Sequence, residues 1–189
     1  MSKRSLFTPL RLVKYLASGL ALLCIGVLLA LLVYNFAIFQ PHRHVISELL
    51  AKATAEERAL PPAMRHLLKT SLCGKESTYT ARLIWRSCNP DCAPAGSVIE
   101  PWLWEKLVQL HLSEDEQYGL IASSSYMGNG RYGFSNEAMA RFQRPLASLS
   151  ETEMATLVAL VRAPSAYSSS AERLSKARDT LLKASKEQP

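Results

Sequence analysis

Several kinds of chemistry are excluded by what this sequence lacks. No run of alternating apolar and polar residues stands out, so there is no strand signal and the part of the chain outside any membrane reads as all-α. Histidine is scarce, four in 189 residues. His42, His44 and His66 have no second pair or cysteine at ligand spacing beside them, which argues against a metal centre. Cys88 and Cys92 are separated by three residues, Asn89-Pro90-Asp91 among them the feature of the segment, rather than by the two of a C-x-x-C redox pair. Basic residues outnumber acidic ones, 22 to 16. Four of them, Lys3, Arg4, Arg11 and Lys14, lie at the extreme N-terminus, leaving 18 against 16 beyond it. The remainder is near neutral, and nothing supports nucleic-acid binding.

The sequence does contain a long apolar run. Leu16 to Phe39 is almost unbroken hydrocarbon, including Leu20 to Val33. A helix crossing a bilayer needs ~20 such residues. The run exceeds the roughly 7–15 residues of a signal-peptide core, and no A-x-A-like cleavage site follows it. It therefore reads as a retained anchor. Its basic flank with no acidic residue puts the N-terminus in the cytoplasm and the rest outside the inner membrane. The expected organisation is a basic tail at 1–15, a single transmembrane helix at 16–39 and a periplasmic domain at 40–189.

In that domain, Val45, Ile46, Leu49 and Leu50 form one helical stripe. Leu60-Pro61-Pro62 interrupts the chain, and Met64, Leu67 and Leu68 resume the pattern. Cys73, Cys88 and Cys92 sit in an irregular segment reaching Ala95. In an oxidising compartment, cysteines staple loops. Cys88 could close on Cys92, or Cys73 could pair with either, and one thiol is left over for an intermolecular bond or none. Further on, Trp102, Leu103, Leu107, Val108 and Leu110 read as a core stripe with Trp104 beside it, both tryptophans serving packing rather than sugar stacking. Ser113 to Glu116 and Ser150 to Glu153 are capping boxes. The tail from Ala171 to Lys186 reads as a helix, with Arg173, Lys176, Arg178, Lys183 and Lys186 on a solvated face.

The most distinctive stretch runs from Ser125 to Ser168. Gly128, Gly130 and Gly133 imply a tight turn. A helix from about Phe134 to Phe142 stops before Pro145. The capped helix with Met154, Ala155, Leu157, Val158, Leu160 and Val161 then runs to Pro164. Tyr126-Met127-Gly128-x-Gly130-x-Tyr132-Gly133-Phe134, Phe142, Leu149-Ser150-x-x-Glu153-Met154-Ala155-x-Leu157 and Ala163-Pro164-Ser165-x-Tyr167-Ser168 follow one another without a gap. This order resembles the last block of the family 51 peptidoglycan glycosyltransferases, comprising monofunctional transglycosylases and the transglycosylase domains of class A penicillin-binding proteins. The resemblance covers about a quarter of the chain. It implies a lysozyme-like, all-α transglycosylase domain, truncated, behind the single N-terminal transmembrane helix.

The family's reaction polymerises lipid II. A sugar hydroxyl attacks the anomeric carbon of the growing strand, and undecaprenyl pyrophosphate leaves. It requires a carboxylate as general base and positive charge at the leaving group. The motifs that supply these in the family are not matched. Counting from Leu60-Pro61-Pro62, the first block's Glu-Asp falls on Leu72-Cys73, and the nearest carboxylate is Glu76. The second block is absent. The third block's glutamate falls on Pro101, beside Glu100, or on Gln109 if Lys106 is aligned. The fourth corresponds to Glu114 to Ser123 and keeps only apolar spacing. If the domain is active, Glu76 and Glu100 are the catalytic candidates and Lys75, Arg82, Arg86 and Lys106 the substrate-binding ones. It needs no cofactor, although an active enzyme would admit a divalent metal. The reading favoured by the missing motifs is a degenerate membrane protein that binds lipid II, glycan strands or a cell-wall synthase without catalysis. The alternative is a divergent transglycosylase with Glu76 as general base.

Overall fold

The computed structural model describes residues 7–88 and 99–187, with side chains described from Val13 onward. The chain divides into two units, Met1–Pro41 and His42–Pro189. The first is helix α1, Phe7–Tyr34, continued by a π-helical turn at Asn35–Phe39. From Val13 to Val33 the apolar side chains of α1 are exposed, as a helix solvated by hydrocarbon requires. It is the one helix among the described residues long and apolar enough to cross a membrane.

The second unit contains α2 (Arg43–Lys52), α3 (Ala55–Arg58), α4 (Pro62–Leu72), α5 (Glu76–Ser87), α6 (Ile99–His111) and α7 (Glu114–Ser124). A two-stranded ribbon follows, β1 (Tyr126–Gly128) and β2 (Arg131–Tyr132), then α8 (Phe134–Phe142), α9 (Glu151–Arg162), α10 (Pro164–Ser168) and α11 (Ala171–Glu187). The architecture is all-α, as the sequence implies. The ribbon is a small addition. It is antiparallel, pairing Tyr126 with Tyr132, and turns through Asn129 and Gly130, both at positive φ (52° and 76°). That is the backbone of the tight Asn-Gly hairpin.

The hub is α9. Its N-terminus is held by a complete capping box, with Ser150 accepting from the Glu153 amide and Glu153 accepting from the Ser150 amide. From Met154 to Val161 every residue is buried. A helix apolar on all sides needs neighbours on all sides, and α9 packs on α4, α8, α10, α11 and β1. Thr156 is accommodated because its hydroxyl donates to the Thr152 carbonyl at 2.8 Å.

Two glycines permit the ribbon to dock. At Gly128 φ is 92°, and a Cβ would lie 2.6 Å from the Ser168 side chain. At Gly133 φ is 86°, and a Cβ would meet Glu57 Oε1 at 3.0 Å and the Ser123 carbonyl at 3.1 Å. Gly133 precedes α8 and has no side chain to cap it. Glu57 supplies the acceptor instead. It is buried, and its Oε1 accepts from the Ser135 amide at 2.9 Å while its Oε2 accepts from the Thr54 amide at 3.0 Å. A carboxylate at a helix N-terminus also complements the helix dipole. The adjacent Glu56 accepts from the Leu146 amide at 2.8 Å. Two neighbouring carboxylates thus tie α3 to the C-terminal half.

One expectation is corrected here and one open alternative is resolved. The α6 core stripe is Trp104 and Val108, continued by Leu112, all buried, whereas Trp102 and Leu110 are exposed (55 % and 74 %). Trp104 packs against Trp85 of α5, edge to face, at 6.0 Å. Cys73 is a free, exposed thiol, so it staples nothing. Cys88 is not among the free cysteines, and Cys92 lies outside the described residues. Arg173, Lys176, Lys183 and Lys186 of α11 are exposed, as expected of a solvated face, and Arg178 pairs with Asp179 at 2.7 Å.

Candidate functional site

The turn from α4 into α5 places Glu76. Cys73 adopts a left-handed conformation (φ 52°) and Gly74 another (φ 75°). The Cys73 amide closes α4 by donating to the Lys69 carbonyl at 2.9 Å, and the Lys75 amide donates to the Leu72 carbonyl at 3.1 Å. The chain then enters α5 with Glu76 in its first turn, where negative charge is favoured. One carboxylate oxygen of Glu76, Oε1, is buried and has no hydrogen-bond partner among the described residues. A buried acceptor left unsatisfied costs roughly 1–3 kcal/mol, so its persistence marks a candidate site.

Glu76 lines a cavity of about 440 Å³ together with Lys69, Gln109, Ser113, Gln117 and Tyr118. That volume falls within the roughly 300–1,000 Å³ of small-molecule sites. Part of the lining is committed to structure. Gln117 donates to the Leu112 carbonyl at 3.1 Å and accepts from the Ser77 hydroxyl at 2.8 Å. Ser113 is engaged in capping α7 with Glu116. Gln109 accepts from Lys106 at 3.1 Å. Burial, and then the charges of Glu76 and Glu114, push the Tyr118 phenol above its usual range, so it keeps its proton as a donor at neutral pH. Glu76 Oε1 as acceptor with Tyr118 and Lys69 as donors suits a hydroxyl-rich ligand.

The other expected site residues do not all join it. Helices α5 and α6 run antiparallel: Gln109 shares a cavity with Glu76 at the start of α5, Thr78 donates to Glu105, midway along α6, at 2.6 Å, and Trp85 further along α5 packs on Trp104. That hydrogen bond, more than the neighbouring lysine, holds the Glu105 carboxyl below its usual range. Gln109 shares the Glu76 cavity, and Glu100 is nine residues earlier on α6, about 13 Å along the axis at helical rise. Glu76 and Glu100 thus sit at opposite ends of the helix pair and do not line this cavity together. Lys75 flanks Glu76, and Lys106 sits beside Glu105 at 3.4 Å. Arg82 and Arg86 lie progressively further along α5, both exposed. Lys69 is the cation among the described residues lining the cavity. Sequence reasoning missed Lys69, Gln117 and Tyr118; the polar Gln117 directly before the buried part of α7 was the available signal.

A second carboxylate was also underestimated. Glu137 on α8 is fully buried between Arg131 and Arg141, at 2.5 and 2.9 Å. Both its oxygens are engaged, so it serves as a brace between ribbon and helix. Among the described residues no group of three or more His, Cys, Asp or Glu is placed to hold a metal ion.

Comparison with known proteins gives one match. Residues 120–186 match the family model described as Transglycosylase, so this stretch is similar to a block of that domain. Neither the curated proteins nor the solved structures contain a match to the chain. The block and the apolar N-terminal helix together fit a single-pass membrane protein with a peptidoglycan-related, glycosyltransferase-like function. Every residue lining the Glu76 cavity precedes the matched block.

Proposed function

We propose, starting from the transglycosylase block at residues 120–186, that this protein is a membrane-anchored relative of the family 51 peptidoglycan glycosyltransferases that binds without polymerising. Its ligand is lipid II or a glycan strand, or it docks on a cell-wall synthase. The proposed arrangement keeps residues 1–15 in the cytoplasm and 16–39 in the inner membrane, with a lysozyme-like domain at 40–189 in the periplasm. There a Cys88–Cys92 bond would close the segment between α5 and α6.

What supports this reading is that Glu76 of α5 shares its cavity with Gln109 of α6, whereas Glu100, nine residues before Gln109 on α6, is not among the lining residues. Polymerisation needs a base on the attacking hydroxyl and concentrated positive charge at the departing pyrophosphate. The Glu76 cavity offers a carboxylate and Lys69, whereas Arg82 and Arg86, exposed further along α5, are not among its lining residues. Recognition is less demanding: an unsatisfied acceptor and a protonated phenol can hold sugar hydroxyls. The second reading, an active divergent transglycosylase with Glu76 as base, is favoured by the unpartnered Glu76 Oε1. Incubating the purified full chain with labelled lipid II and resolving products by electrophoresis separates the two. Absence of polymer fits the binding reading; polymer that disappears in Glu76→Gln establishes the enzyme.

A further inference from the structure

A second cavity, about 700 Å³, lies between the end of α4, the end of α9, α10 and α11. It shares no lining residue with the Glu76 cavity. Arg162, Arg173 and Lys176 line it, and no carboxylate does. None of the three cations forms an ion pair with a described carboxylate. Like charges gathered without compensation repel one another, so an arrangement of this kind is relieved by an anion. Ser71 provides an independent sign. It lines the same cavity, is 6 % exposed, and its Oγ has no hydrogen-bond partner among the described residues. A buried hydroxyl at a cationic wall is a donor awaiting an acceptor.

We infer that this cavity is a binding site for a phosphate or diphosphate group. Two guanidinium forks present paired N–H donors whose spacing matches phosphate oxygens, and Lys176 adds a point charge. Ser71 and Tyr167 supply neutral donors on the same wall. The volume exceeds that of a lone phosphate, leaving room for a second phosphoryl group or an esterified substituent. The site lies partly within the transglycosylase block, through Arg162, Tyr167, Arg173 and Lys176, and partly on α4, which precedes it. It does not depend on Glu76, so it stands whether or not the first cavity binds a glycan.

The test uses the full chain in phosphatidylcholine nanodiscs, titrated with inorganic pyrophosphate by calorimetry. Cys73, a free exposed thiol lining the cavity, reports position, its alkylation being read on its own peptide by mass spectrometry. Saturable binding is expected, with slowed Cys73 alkylation. Arg162→Gln and Arg173→Gln, both at exposed positions, should each weaken binding by roughly tenfold, as loss of a charge-assisted hydrogen bond implies. Lys183→Gln, outside the cavity, should leave it unchanged. Nanodiscs containing phosphatidylglycerol distinguish the source: competition with pyrophosphate identifies a lipid headgroup, and its absence identifies a soluble or sugar-borne phosphate. No saturable binding, binding indifferent to both arginine substitutions, or equal displacement by acetate would overturn the assignment.

Discussion

Gly128 and Gly130 stand two residues apart in one hairpin, yet they are glycine for different reasons. Both have positive φ, but a Cβ at Gly128 would collide with Ser168, while one at Gly130 would meet nothing within 4 Å. Gly130→Ala should therefore cost only the left-handed backbone penalty, about 1–2 kcal/mol. Gly128→Ala adds overpacking against α10 and should cost about 3 kcal/mol or more, part of which Ser168→Gly restores. Thermal unfolding followed by circular dichroism gives the ranking. Glu137 yields a second expectation at this scale. Replacing both Arg131 and Arg141 by methionine strands a buried carboxylate and should destabilise by about 3–5 kcal/mol. Adding Glu137→Gln to that double variant should recover most of the loss. If the double substitution were neutral, Glu137 would not be the brace its contacts imply.

At the scale of elements, α6 best illustrates what sequence can decide. Apolar residues occupy so many of its positions, Ile99, Trp102, Leu103, Trp104, Leu107, Val108 and Leu110 among them, that periodicity leaves its phase open. Packing against α5 resolves it in favour of Trp104. Trp104→Ala should accordingly cost about 3–5 kcal/mol, whereas Trp102→Ala should change stability by no more than about 0.5 kcal/mol. Denaturation midpoints of the two variants check the phase directly. Elements with punctuation were legible: α8 and α9 begin and end where Gly133, Pro145, the Ser150–Glu153 box and Pro164 place them. The Asn129-Gly130 turn carried a hairpin signal that the helical pattern around it obscured. Glu57 was not legible, because the amide it caps belongs to Ser135, 78 residues away, and nothing local in sequence announces such a contact. The Glu76 cavity was half legible. Its carboxylate could be nominated by position, but the antiparallel pairing of α5 and α6 decided which residues accompany it.

For the molecule as a whole, scaffold and site separate along the chain. The stretch at 120–186 that matches the transglycosylase family model contains α9, the buried hub around which the second unit packs. The Glu76 cavity is built wholly upstream, by α4, α5, α6 and α7. The central claim is that the upstream cavity retains recognition without turnover. The most direct measurement is the binding isotherm of labelled lipid II to the full chain in nanodiscs, for the native protein and Glu76→Gln. Saturable binding by the native protein is expected, weakened roughly tenfold when the Glu76 carboxylate is lost, as loss of a charged hydrogen-bond acceptor implies. Binding identical in the two proteins, or no saturable binding at all, would contradict it.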